Sequence, residues 1–305
     1  MNYRADHDLT GTIHSLVVYP IKSCAGIAVQ QARLTATGLE WDRAWMLATP
    51  DGQFLTQREY PRMVLIQPEL LATDMRLTAP GMPALHVPYE VDPAQSAQGG
   101  SPIRVWKDTV SALDMGDVIA AWFTQFLETP CRLKRFDPNF RRIVDPKWTA
   151  GTESITQFAD GFPVLVTSTA SIEDLNQRLE AKGDAPVDAR RFRPNLIIDG
   201  VDSHDEDRIE SLYIELDADG GDGGDGGEAQ EAELQMSKPC SRCPIPDIDP
   251  DTAECSGQVN PMLRSYRQDQ RVGGALTFGM NAIALAGEGA LLKVGQRIAG
   301  NMRFD

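Results

Sequence analysis

Through roughly its first hundred residues the chain repeats one pattern, a short β-rich run ended by proline or glycine, and this pattern most constrains its fold. "TIHSLVVYPIKS" alternates, turns apolar, and ends at Lys22 and Ser23. "RAWMLATPDGQFLTQRE" is two β-rich runs joined at Asp51-Gly52, a dipeptide that supplies the positive φ of a tight hairpin. "RMVLIQPEL", "ALHVPYEV" and "PIRVWKDTVSALDM" continue in the same way, and "QSAQGGS" (95–101) reads as a loose loop. Short strands at this spacing bury a face by closing or stacking, which predicts a barrel or sandwich.

A helix fits "GDVIAAWFTQFLETP", with Asp117 as N-cap and Pro130 as stop. The basic stretch "CRLKRFDPNFRRIVDPKW" follows, so a boundary near this helix divides the chain into residues 1–125 and 126–305. The second part opens with a buried strand, a Ser/Thr-rich turn and a helix in "FADGFPVLVTSTASIEDLNQRLEAKG", where Ser171 and Asp174 stand at capping-box spacing. "RFRPNLIIDG" and "SLYIEL" read as further strands. "DADGGDGGDGGEAQEAE" (217–233) carries no apolar residue that could stack a calcium-binding repeat, so it reads as a solvated insertion. The fold class is therefore mixed: mainly β with several helices.

The formal charge of −15 opposes nucleic acid and anionic membranes as main partners. "FPVLV" and "NAIALAG" are far too short to span a bilayer. The polar start "MNYRADHDLT" shows no export signal, and five cysteines is an odd number, which predicts free thiols in a reducing cytoplasm.

The chemistry concentrates in "KPCSRCPIPDIDP". Cys240 and Cys243 are the one close cysteine pair, and Cys24, Cys131, Cys255 and the four scattered histidines offer no second pair for zinc. Pro244 and Pro246 oppose the helix that a thioredoxin-like dithiol needs. Two ordinary loop cysteines remain possible on spacing alone. Lys238 and Arg242 favour another role, since nearby cations raise the thiolate fraction and suit an anionic metal complex that brings its own sulfur and phosphate. Other cations and hydroxyls fit an anion: Lys22 and Ser23 at a strand end, Arg43 in "WDRAW", and Thr167, Ser168 and Thr169 at a strand-to-helix turn. Arg191 and Arg193 should share one strand face with Asn195. Each has a plainer alternative: a solvated lysine, an arginine stacked on tryptophan, hydroxyls that cap their helix.

"VVYPIKSCAG", "GLEWDRAWMLATPDGQFLTQRE", "FADGFPVLVTSTASIEDLNQRL", "RFRPNLIIDG", "KPCSRCPIPDIDPDTAE", "LRSYRQ" and "TFGMNAIA…VGQRI" occur in this order. Over about residues 10–300 the set resembles the MOSC-domain proteins, named after the C-terminal domain of molybdenum cofactor sulfurase. It is most similar to the bacterial relatives of the mitochondrial amidoxime reducing component. The resemblance implies an N-terminal β-barrel lobe, a C-terminal MOSC β-barrel lobe, and molybdopterin bound between them. It implies one protein thiolate on molybdenum, Cys243, with Cys240 as a neighbour. Lys22, Ser23 and Arg43 would hold the pterin phosphate from the first lobe, and Thr167, Ser168, Arg193 and Asn195 the pterin and phosphate from the second. Ser241 and Arg242 would line the cofactor, and Asn281 would approach it.

The chain departs from the family at "PIPDI" after the cysteine pair, at Met280 where Gln is common, and at the acidic insertion. No iron–sulfur module follows "VGQRI", so electrons would come from a separate ferredoxin, flavodoxin or reductase. The implied activity is two-electron reduction of small N-hydroxylated compounds. The alternative is a cofactor or sulfur carrier that uses Cys243 without turnover. Asp249 and Asp251 are candidates for relaying protons. Arg132, Lys134, Arg135, Arg141 and Arg142 either dock the electron donor or form a solvated surface.

Overall fold

The structure is a computed structural model and describes residues 7–91, 99–216 and 231–303. Most of the acidic insertion (217–230) and of the loop at 95–98 lies outside the described residues, as do residues 1–6 at the N-terminus.

Seven strands close into a barrel. In order around it they are Val164–Ser168, Leu196–Asp199, Leu9–Val18, Arg297–Met302, Ile209–Glu215, Glu231–Ser241 and Ala275–Ala286, which pairs back to Val164–Ser168. Closure leaves these staves no free edge. The alternating burial of Ile209–Glu215 and Glu231–Ser241 turns Leu212, Ile214, Leu234 and Met236 inward, where they meet Leu16, Val166, Ile198 and Ile298. Val164–Ser168 and Leu196–Asp199 run parallel. A parallel pair needs a long crossover, supplied by the helix Thr169–Ala181.

The second body is a half-barrel of Trp45–Ala48, Arg132–Phe136, Asp108–Asp114 and Ser101–Val105, beside the meander Gln67–Leu70, Asp74–Thr78 and Leu85–Pro88. The helix Asp117–Leu127 covers it with Ile119, Trp122, Phe123 and Phe126, the i, i+3, i+4, i+7 stripe of one helical face. The Asp51-Gly52 hairpin forms: Gly52 has φ 83° and Thr49 N–H donates to the Gln53 carbonyl.

Two local expectations are corrected. Asp117 lies inside the first helical turn, after Gly116 at the N-cap position, whose N–H is taken by Asp114 Oδ1 at 2.8 Å. Ser168, not Ser171, caps the second helix by accepting the Ser171 N–H, while Asp174 pairs with Arg178 and His204. The two parts also interleave across residue 125. Leu9–Val18 is a stave of the C-terminal barrel, held by Leu196–Asp199 and Arg297–Met302, and Arg132–Phe136 belongs to the N-terminal half-barrel. Sheet edges fill with whichever strand completes their hydrogen bonding, regardless of position along the chain.

Candidate functional site

One cavity is walled by both bodies. Lys22, Ser23 and Arg43 come from the N-terminal part, Arg193 and Asn195 from the turn before Leu196–Asp199, and Ser241, Arg242 and Cys243 from the end of Glu231–Ser241. Asn281 lines it from Ala275–Ala286. Gly279, with φ 75°, bends that strand just before Asn281; a Cβ there would stand 2.6 Å from the Val166 carbonyl oxygen. Thr167 and Ser168 are fully buried and do not line the cavity. Ser168 Oγ bonds Ser171 and Glu206, and Thr167 Oγ1 is buried without a partner among the described residues.

Arg43 on the cavity wall rests on a buried carboxylate. Asp42 Oδ1 accepts the Tyr19 N–H and Asn195 Nδ2 at 2.9 Å each, and Oδ2 accepts Arg43 Nη1 at 2.6 Å. Arg43 also donates to Asn195 Oδ1 and, through Nη2, to the Arg193 carbonyl, both at 3.0 Å. Arg193 donates Nη1 to the Cys24 carbonyl at 2.6 Å, while its Nη2 is buried without a partner among the described residues. Both guanidiniums lie 4.3 Å from the Tyr19 ring centre. Burial, with Arg43 adding repulsion, lowers the Arg193 pKa to about 10. Two cations around one carboxylate, one of them with a donor left over, form a receptor for a further anion.

Arg191 and Arg193 do not share a strand face. Ala189–Arg191 is a short 3-10 turn and Arg193 takes φ 58°, so the side chains diverge, and Arg191 bonds Asp249 and the Pro246 carbonyl. Nor does Arg43 stack between tryptophans. Arg135 occupies that place, 4.5 Å from the Trp45 ring.

The cysteines stand where strand pairing breaks. Glu231–Ser241 slips register against Ala275–Ala286 between Met236 and Lys238 and again between Pro239 and Ser241. Bulges of this kind re-aim side chains. Both thiols are free and partly exposed, and both line the cavity. Arg242 Nη1 lies 3.0 Å from Cys240 Sγ and Nη2 bonds the Phe192 carbonyl, so the cation between the cysteines serves Cys240. Lys238, expected beside the thiols, lies over Trp148 at 5.3 Å. Among the described residues no three His, Cys, Asp or Glu side chains gather to hold a bare metal ion. A metal bound through Cys243 would have to bring most of its ligands with it.

Phe54, Thr56, Arg58, Trp106 and Asp160 also line the cavity and were not singled out from sequence. The signals were there: Phe54, Thr56 and Arg58 recur at every second residue, and Asp160 sits in "FADGF". Among the described residues, Asp160 is the one acidic residue on the wall. Although its side chain is 68% exposed, its crowded surroundings work against its charge, but the Lys22 ammonium and the hydrogen bonds from Lys22 and Trp106 hold its carboxyl below the usual range. Lys22 donates to the Phe158 carbonyl at 2.8 Å and to Asp160; burial lowers its pKa although Asp160 counteracts the shift.

Two expected roles find no support in the geometry. Asp249 and Asp251 lie off the cavity wall, paired with Arg191 and Arg190. The basic segment is not an open patch. Arg132 and Lys134 share Asp114, Arg142 is buried on Asp108, Arg141 meets Glu153, and Arg135 lies over Trp45.

Comparison with known proteins agrees with this architecture. Residues 10–130 match the MOSC N-terminal beta barrel domain and residues 153–299 the MOSC domain. The chain is 35% identical over 273 residues to "Mitochondrial amidoxime-reducing component 1" of Homo sapiens, an alignment covering 85% of this chain and 72% of that protein. It is 33% identical over 266 residues to "Mitochondrial amidoxime reducing component 2" of Bos taurus, covering 84% and 72%. "Molybdenum cofactor sulfurase" of Homo sapiens is 28% identical over 282 residues, 88% of this chain but 29% of that protein. With a closed barrel, a half-barrel and relatives of this identity, the chain belongs to the MOSC-domain family that includes the mitochondrial amidoxime-reducing components.

Proposed function

We propose that this protein is a molybdenum-cofactor-dependent reductase of small N-hydroxylated compounds. The relatives' names support a cofactor-related function, since two are amidoxime-reducing components and one a molybdenum cofactor sulfurase. The observation that carries the proposal is that Cys243 shares its cavity with Arg43, which is paired to Asp42, and with Arg193, whose Nη2 finds no partner among the described residues. A thiol and an unsatisfied anion receptor in one cavity fit a metal complex that carries its own phosphate. When bound, the cofactor would supply a two-electron reductant. Cys243 would supply the protein's sulfur ligand, while Arg242 holds Cys240 on the same wall. Arg43 and Arg193 would hold the phosphate, with Asn195 and Asp42 fixing the Arg43 guanidinium. Breaking the N–O bond takes two electrons and two protons and yields N–H and water. Lys22 Nζ is a proton source on the wall, because burial makes it release a proton more readily than a free lysine. The electrons come from a separate donor protein. All five cysteines are free, as suits a reducing cytoplasm. Among the described residues no helix is long and apolar enough to cross a membrane.

The test is to measure molybdenum in fresh protein, reduce it with dithionite and add an N-hydroxylated purine. Substrate-dependent reoxidation is expected, and Cys243→Ser should keep its circular dichroism spectrum and lose the reoxidation. Retained molybdenum without reoxidation would make the protein a carrier. One sulfur's mass gained on Cys243 in metal-free protein would make it a sulfur-transfer protein.

A further inference from the structure

Trp106 occupies a place in the cavity that folding alone does not explain. It forms, with Lys107, the two-residue turn between Ser101–Val105 and Asp108–Asp114, where Val105 pairs with Asp108. Its φ is 56°, in the left-handed region that such turns usually give to Asn or Gly. The bulky side chain is 40% exposed. Even so, its orientation is fixed on three sides. Nε1 donates to Asp160 Oδ1 at 3.0 Å, the Arg58 guanidinium lies 4.4 Å from the ring centre, and Phe54 packs at 5.2 Å with its plane tilted 60°. Asp160 is anchored in turn by Lys22. Phe54, Arg58, Trp106 and Asp160 all line the cavity that holds Cys243. An aromatic ring that is strained at its backbone, pinned in orientation and still open is built to meet a ligand.

We propose that Trp106 is the substrate-selecting residue of this cavity. Held by Asp160, Arg58 and Phe54, it gives planar N-hydroxylated compounds a surface to stack on, which small non-planar hydroxylamines do not use. This rests on the reductase function proposed above. Stacking on an aromatic side chain tolerates any flat π system and is worth about tenfold or more in affinity. Trp106 is thus a specificity residue, distinct from the groups that hold the cofactor.

The test uses the molybdenum-loaded protein with dithionite-reduced methyl viologen as electron donor. N-hydroxylated adenine and N-methylhydroxylamine are compared by the ratio of their kcat/KM values. Trp106→Ala should lower the ratio about tenfold, mainly through KM for the purine. Trp106→Leu, which keeps bulk but has no π face, should lower it as well and covers the case in which the alanine variant misfolds. Trp106→Phe should retain most of it. An unchanged ratio in the alanine or leucine variant overturns the proposal. Titrating purified protein with adenine, which has no N–O bond to reduce, should quench tryptophan emission in wild type and not in Trp106→Phe. Equal quenching, or none in wild type, overturns the proposal without reference to turnover. Wild-type protein that reduces neither substrate refutes the reductase function instead, and the titration still judges the stacking surface.

Discussion

Two polar clusters offer donors to an anion, and by sequence either could bind one. One is the Ser/Thr turn at the head of the helix Thr169–Ala181; the other is the Arg43–Asp42–Asn195–Arg193 group. Helix N-termini attract phosphate, yet this one is already served from inside the protein. Ser168 caps it, and Glu206, fully buried, accepts Ser168 Oγ at 2.9 Å. The arginine group has the opposite imbalance, with two cations, one carboxylate and a leftover donor. Hydroxyls and backbone amides do not by themselves make an anion site. The decisive quantity is whether the charge is already balanced within the fold.

The largest expected effect follows from that imbalance. Asp42→Asn keeps the shape of the side chain and removes the one negative charge that Arg43 bonds among the described residues. Uncompensated buried charge costs about 3–5 kcal/mol, so cofactor-free protein should lose roughly that much in urea unfolding. Loading the cofactor should recover part of the loss by restoring a negative charge. An equal loss in loaded and cofactor-free protein would mean that no anion is bound there.

Arg193→Met makes the complementary change. It removes the donor that has no partner among the described residues, along with one bond to the Cys24 carbonyl. A hydrogen bond to a charged group is worth about 1.5–3 kcal/mol, so molybdenum retention should fall about tenfold to a hundredfold. The stability of the cofactor-free protein should change far less than in Asp42→Asn. Full retention of molybdenum on gel filtration would remove the arginine pair from the site.

Glu206 tests the other cluster through pH. Burial, with the Asp207 charge adding, raises its pKa above the ordinary 4.5. A raised pKa in the folded state gives stability that is complete below the unfolded value and is lost as pH rises through the folded one. Wild-type protein should therefore lose stability relative to Glu206→Gln as pH climbs from 4.5 toward neutrality. Urea midpoints of the two proteins that stay parallel over this range would show that Glu206 does not titrate there, and molybdenum content should be the same in both.

Much of the fold was legible because it rests on local signals: the Asp51-Gly52 turn, the stripe at Ile119, Trp122, Phe123 and Phe126, and the alternation in "SLYIEL". Closure of the barrel was not, because nothing near Leu9–Val18 announces partners almost three hundred positions away, such as Gly300 facing Leu9. The same divide runs through the site. The motif residues Lys22, Arg43, Asn195 and Cys243 do converge on one cavity. Charge balance depends on pairings between distant segments, so the Ser168–Glu206 bond, the retreat of Lys238 onto Trp148 and the transfer of Arg242 to Cys240 could not be read from spacing. Asp160 and Trp106 escaped notice because an acid and a surface aromatic carry little meaning until Lys22 and Arg58 are placed against them.

The smallest effect belongs to a third region, where charge is balanced at the surface. Asp251 forms two hydrogen bonds at 2.8 Å with Arg190, away from the cavity wall. The Arg190 hydrogen bonds lower its pKa, so its carboxylate holds no proton to pass on near neutral pH. An exposed pair contributes about 0.2–1 kcal/mol, most of it screened by salt. Asp251→Asn should cost no more than that in urea unfolding, lose even this difference in high salt, and leave the pH profile of N-hydroxylated purine reduction in place. A shifted pH profile would restore Asp251 to the proton path. It would also mean that balanced charge outside the cavity can still govern chemistry within it, against the contrast drawn between the arginine group and the helix head.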